Sequence, residues 1–120
     1  MAQPLSQQEL HNLAMNIVGK ELEEQGFEFL GINSQLKKDP QFVALKDRAL
    51  HFVVVRAVHY PDKAEEYDEE LMRTIKAHAL KFEARTFYAG VGLGHGNDFA
   101  KPVVKGEHYG VVYKGLQEIK

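Results

Sequence analysis

The sequence predicts an α/β (α+β) fold: a mixed β-sheet flanked by helices, with the element order αβββαβ and an extra C-terminal strand. Apolar residues recur at helical spacing over residues 4–27 and again over 60–82, with runs of strand-forming residues between and after them. Two central runs are joined by the tight polar turn "KDRA", suited to a hairpin. A helix-length segment then separates the run at 50–60 from that at 84–94, and a strand–helix–strand crossover of this kind joins parallel strands.

The first helix starts at a capping box, Ser6 with Glu9, whose side chains satisfy free backbone N–H groups. Leu10, Leu13, Ala14, Ile17, Val18 and Leu22 form its apolar stripe, and Gly26 stops it. "FEFLGIN" is the first expected strand, with Phe27 and Phe29 on one side. The polar loop "SQLKKDP" leads to "QFVAL", then through the turn to "LHFVVVRAVHY". In that strand Leu50, Phe52, Val54, Arg56 and Val58 share one face, and His51, Val53, Val55, Ala57 and His59 the other. Both faces are largely apolar, so the strand is expected to be central and covered on both sides.

After a break at Pro61 comes the second helix, with Leu71, Ile75, His78, Ala79 and Phe82 on its expected buried side and acidic residues in its first turns. "ARTFYAGVGLG" is the fourth strand, expected to run into a glycine-rich exit, and "HYGVVYKGL" a fifth strand at an edge. No repeat or linker interrupts the order, and residues 1–120 read as a single domain.

Composition excludes several classes. With no cysteine there can be no disulfide, thiolate zinc site or cysteine-ligated iron–sulfur cluster. No apolar stretch has the length of a membrane span or a signal segment, so a cytoplasmic location is expected. A net charge of −2 does not advertise nucleic-acid binding. Residues 1–83 hold 10 basic against 14 acidic side chains and residues 84–120 hold 5 against 3, an asymmetry too mild to define a basic face.

The αβββαβ order, with a polar turn ahead of "FVVVR", resembles the restriction-endonuclease-like PD-(D/E)XK phosphodiesterase superfamily, and most of all its small single-domain bacterial members. The resemblance runs from Ser6 to about Gly92 and rests on element order more than on identity. It implies a metal site built from an Asp near the start of the second strand and an Asp or Glu in the third, with a Lys two residues further on. Two converging carboxylates are the minimum that places a magnesium ion beside a phosphate. Laid on this chain, the third-strand acid falls on Val54 and the lysine on Arg56. The second-strand aspartate falls near Gln41, or on Asp39 if the loop shifts by two, and a first-helix acid falls near Met15. With the acids largely absent and the cation now an arginine, which cannot tune its pKa as a lysine can, the resemblance implies a degenerate pseudonuclease.

Two readings of Arg56 stay open. It is a relic cation paired with a nearby acid or carbonyl, since an unpartnered buried charge costs several kcal/mol, or it reaches solvent at the strand end. An active, magnesium-dependent nuclease would need an acid relocated to the run Asp62–Glu70, ordinarily a solvated helix start.

Other motifs are weaker. Gly90, Gly92, Gly94 and Gly96 alternate and meet no phosphate-loop spacing, although glycines admit close backbone approach. The six histidines make no HxH or HExxH pair; His78 is expected to be packed in the core, while His59 and His95 would meet near the sheet's C-terminal edge as a candidate metal site. No cofactor is expected. Tyr60, Tyr67, Tyr88, Tyr109 and Tyr113 offer aromatic anchors, and the C-terminal edge strand would allow a homodimer. Protein partners are otherwise undefined and nucleic acid is weakly supported. The chain is also similar to short sequences that carry the label of the flavin- and iron–sulfur-bearing component of the Na⁺-translocating NADH-quinone reductase. That redox chemistry requires four cysteines and separate flavin and NADH domains, for which this chain has neither the residues nor the length.

Overall fold

The first helix, α1 (Gln7–Glu24), begins where the capping box predicts. The Glu9 N–H donates to Ser6 Oγ at 3.1 Å and the Ser6 N–H donates to the Glu9 carboxylate at 2.9 Å. Gly26, with φ of +87°, carries the chain out of the helix. The computed structural model describes residues 3–59 and 62–120, so Tyr60 and the break at Pro61 lie outside the described residues.

Three strands follow as an antiparallel meander: β1 (Glu28–Ile32), β2 (Phe42–Lys46) and β3 (Ala49–His59). In the turn between the last two, Asp47 and Arg48 have φ of 52° and 65°, the left-handed pair that a two-residue hairpin of matching twist requires. A bulge between Phe29 and Gly31 breaks the register of β1. Phe29 packs on the core while Leu30 and Ile32 stay exposed.

Helix α2 (Glu69–Leu80), capped by the Asp68 carboxylate, returns the chain to β4 (Arg85–His95), parallel to β3 from His51 opposite Arg85 to His59 opposite Leu93. The expected C-terminal strand is present as β5 (Tyr109–Val112), and a further short strand not expected from the sequence, β6 (Gln117–Glu118), follows it; both are antiparallel to β4. Gly115, with φ of +92°, lies between them. The sheet order is β1-β2-β3-β4-β5, with β6 also paired to β4. The protein is thus α+β, two helices on a six-stranded mixed sheet, as expected.

Both faces of β3 are covered. Val53 and Val55 lie against Met15, Val18 and Leu22 of α1; Val54 lies with Met72 and Tyr88 on the α2 side. Two expectations for the second helix fail here, at His78 and at Phe82, which is 53% exposed. His78 is exposed rather than in the core, because Met72 and Ala79, seven residues apart, are the positions α2 buries. His78 instead meets the exposed Phe82 edge-on, and Phe52 at a tilt. Gly90, Gly92 and Gly94 lie within β4, as the reading of "ARTFYAGVGLG" as a strand expects, and all three are buried. A Cβ on Gly90 would sit 1.8 Å from the Ala64 carbonyl oxygen, so the connection ahead of α2 crosses the strand there only because the side chain is absent. Among the described residues, no helix is long and apolar enough to cross a membrane.

Candidate functional site

The loop between β1 and β2 brings Asp39 onto Arg56 of β3. Arg56 Nη1 donates to Asp39 Oδ1 and Nη2 to Oδ2, both at 2.7 Å, a bidentate fork. The Asp39 side chain is 8% exposed and that of Arg56 22%, so the pair is mostly withdrawn from water. Nη1 also donates to the Val55 carbonyl at 3.0 Å.

Gln41, fully buried, ties this pair to the sheet. Its Nε2 donates to Asp39 Oδ1 at 2.8 Å and to the Lys38 carbonyl at 3.0 Å, and its Oε1 accepts the Val55 N–H at 2.7 Å. Burial pushes the Asp39 carboxyl up, but the hydrogen bonds from Arg56 and Gln41 and the guanidinium charge outweigh it and hold the group below its ordinary value. Arg56 thus has the acid partner that one of its two readings expects.

The positions singled out by the sequence therefore divide. Asp39, Gln41 and Arg56 converge. Val54, the position of the third-strand acid, is 0% exposed and packs with Met72 and Tyr88 on the α2 side, where it also contributes to the lining of a cleft. Met15, on the inner face of α1, is 5% exposed and packs in the core. A cleft of about 570 Å³ opens on the α2 side of Arg56, and Asp62, Glu66 and Asp68 of the acidic run line it. Asp68 is committed as the cap of α2, and Glu66 lies 3.9 Å from Lys63. Among the described residues, no three His, Asp or Glu side chains gather closely enough to hold a metal ion.

His59 and His95 approach the same backbone group without facing each other as ligands. His59 Nε2 donates to the Lys101 carbonyl at 3.1 Å, which also accepts the His95 backbone N–H at 3.0 Å. The His95 ring is occupied on both nitrogens: Nε2 donates to Glu107 at 2.7 Å, and Nδ1 accepts the Asn97 N–H at 3.1 Å.

One residue near Arg56 carried no role in the sequence. His11 is 1% exposed, and neither ring nitrogen has a hydrogen-bond partner. Burial pushes its imidazole down and the Arg56 charge adds to that, against a weaker pull from Asp39. The sequence held a signal: positions 11, 15, 18 and 22 follow helical spacing along the face that α1 buries, so His11 is a polar residue on the core stripe. His11 and Arg56 line a second pocket, of about 280 Å³, together with Leu10, Leu36, Lys37 and Leu93 among others.

The model of a domain of unknown function, DUF8840, matches residues 8–119, nearly the whole chain. The chain belongs to that family. No curated protein and no solved structure matches it. For this DUF8840 chain, any functional reading therefore has to come from the site itself.

Proposed function

We propose that this DUF8840 protein is a non-catalytic binding or scaffold protein on an endonuclease-like core, a pseudonuclease in which an internal ion pair stands where a metal centre would be. The observation that carries the reading is the fate of the two acid positions. Both oxygens of Asp39 face the Arg56 guanidinium, and the partner position is Val54, an aliphatic residue without access to solvent. A hard divalent ion needs several oxygen ligands, and this arrangement offers none that is not already neutralised. The antiparallel meander joined through α2 to a parallel fourth strand supports the resemblance in topology.

The test is incubation of the full chain with supercoiled and branched DNA in Mg²⁺ and in Mn²⁺. The reading expects intact substrate. Cleavage that Asp39→Ala abolishes would overturn it. Cleavage that Asp39→Ala leaves but Asp62→Ala or Glu66→Ala abolishes would favour the alternative, a nuclease with relocated acids; the lining of the 570 Å³ cleft is what keeps that alternative specific.

The scaffold role includes self-association through the C-terminal edge, where Tyr109, Val111 and Val112 of β5 are exposed. Light scattering that finds only monomer across micromolar concentrations would remove that part. The association by label with an NADH-quinone reductase is carried here without redox centres; flavin or iron–sulfur absorbance in the purified protein would contradict it. A cytoplasmic location belongs to the same proposal.

A further inference from the structure

We propose that the 280 Å³ pocket between α1 and β3 binds a small, singly charged carboxylic acid with an apolar body, gripped by Arg56 and His11. This deepens the binding role proposed above and rests on it. Three observations point the same way.

The first is an unmet hydrogen-bonding demand. His11 lines this pocket at 1% exposure with neither ring nitrogen partnered, and a buried polar group left unsatisfied costs about 1–3 kcal/mol. In native proteins such orphans are few, and a missing ligand is one of their ordinary explanations. Thr86 is the other residue with an orphaned buried polar atom among those described, and it lines neither pocket beside Arg56.

The second is the unused edge of Arg56. Asp39 takes the end of the guanidinium fork and the Val55 carbonyl takes a further hydrogen of Nη1. The Nε–H and the second Nη2 hydrogen have no partner among the described residues. Those two donors lie side by side on one edge, the geometry that receives both oxygens of a carboxylate. His11, as a neutral imidazole, offers one further N–H and one acceptor.

The third is the selectivity of the walls. Leu10, Leu36 and Leu93 supply apolar surface, and no Asp or Glu lines this pocket. The cleft on the other side of Arg56 carries Asp62, Glu66 and Asp68 against one lysine, Lys63, and is the less favourable side for an anion. Because Asp39 already answers the charge of Arg56, Lys37 is the remaining full cation of the pocket, which matches one negative charge better than the two of a phosphate. At about 30 Å³ per water the space holds roughly nine waters, so the ligand has up to about nine non-hydrogen atoms.

The experiment is a titration of the full-length protein with benzoate and isocaproate, followed by calorimetry and by the ring ¹⁵N resonances of His11. Benzamide, the neutral counterpart, and inorganic phosphate are the comparison probes. At least one of the two acids is expected to bind with a dissociation constant of millimolar or tighter and to move the His11 ring signals, with both comparison probes at least about tenfold weaker. His11→Phe removes the orphaned donor and Leu36→Trp fills the pocket from a partly exposed loop position; each is expected to weaken binding at least about tenfold. Absence of binding by both acids, equal binding of benzamide or phosphate, or undiminished binding by both variants would overturn the proposal. Metal-dependent DNA cleavage, which would sink the pseudonuclease reading, is read separately and leaves these titrations unaffected.

Discussion

Replacing Asp39 by Ala leaves Arg56 charged, mostly buried and without its counter-ion. Removing one partner of a buried, hydrogen-bonded pair costs about 3–5 kcal/mol. The guanidinium keeps 22% exposure, and water reaching it reduces that cost to about 2–4 kcal/mol. For 120 residues, with about 2.1 cal/mol/K of unfolding entropy per residue, the melting temperature should fall by roughly 8–16 °C. Arg56→Met alone strands the Asp39 carboxylate, still bonded by Gln41, at a comparable cost. The double variant Asp39→Ala/Arg56→Met removes both charges and should lose less than the sum of the singles by about 2 kcal/mol or more. Urea denaturation of the four proteins supplies the cycle. A coupling energy under about 0.5 kcal/mol, the value of an exposed pair, would refute the view that this ion pair is an internal structural element.

Other outcomes follow from the same contacts. His11→Phe should raise the unfolding free energy by about 1–2 kcal/mol, because it removes a buried ring whose nitrogens bond nothing, and a loss of stability in urea would contradict this. Burial pushes both His11 and His51 down, so each stays neutral in the native state where the unfolded chain would protonate. Neither costs stability by titration above about pH 6.5, and each lowers it as pH falls below that, by up to about 1.4 kcal/mol per pH unit; stability flat from pH 7 to 5 would contradict this. Gly90→Ala should cost more than about 3 kcal/mol or prevent folding, since its Cβ meets the Ala64 carbonyl at 1.8 Å, and a near-native melting temperature would show that the connection does not cross there. Tyr113→Phe, which deletes the 2.7 Å bond from the phenol to Glu21, should cost about 1 kcal/mol in urea denaturation, and no change would argue against that contact.

The architecture was legible in the sequence wherever a local rule and the global fold agree. Ser6 and Glu9 fix the start of α1 through a few atoms, and the alternation from Leu50 to Val58 fixes a strand buried on both sides. What was lost was lost to tertiary context. His78 carries helical spacing toward the core, yet the face α2 buries runs through Met72 and Ala79 and leaves His78 exposed. The strand at 84–94 was legible but the reason for its alternating glycines was not: the crossing of Ala64 over Gly90 and the packing of Phe99 over Gly94 require the missing side chains. At the site, the partnership of Asp39 with Arg56 spans 17 residues of sequence and a loop whose path no spacing rule predicts. The solitude of His11 was invisible for a different reason: an unpartnered nitrogen is a property of what surrounds it, and only its place on the stripe of Met15, Val18 and Leu22 hinted at burial.

The most direct test of the central claim is a titration of isotopically labelled protein with Mn²⁺, observed through paramagnetic broadening of the backbone amides. If Arg56 has taken over the coordination of Asp39, millimolar Mn²⁺ should leave the Val54, Val55 and Arg56 amides as sharp as those of α1. Selective broadening of those three signals, removed by Asp39→Ala, would show a divalent ion seated beside the guanidinium and contradict the account.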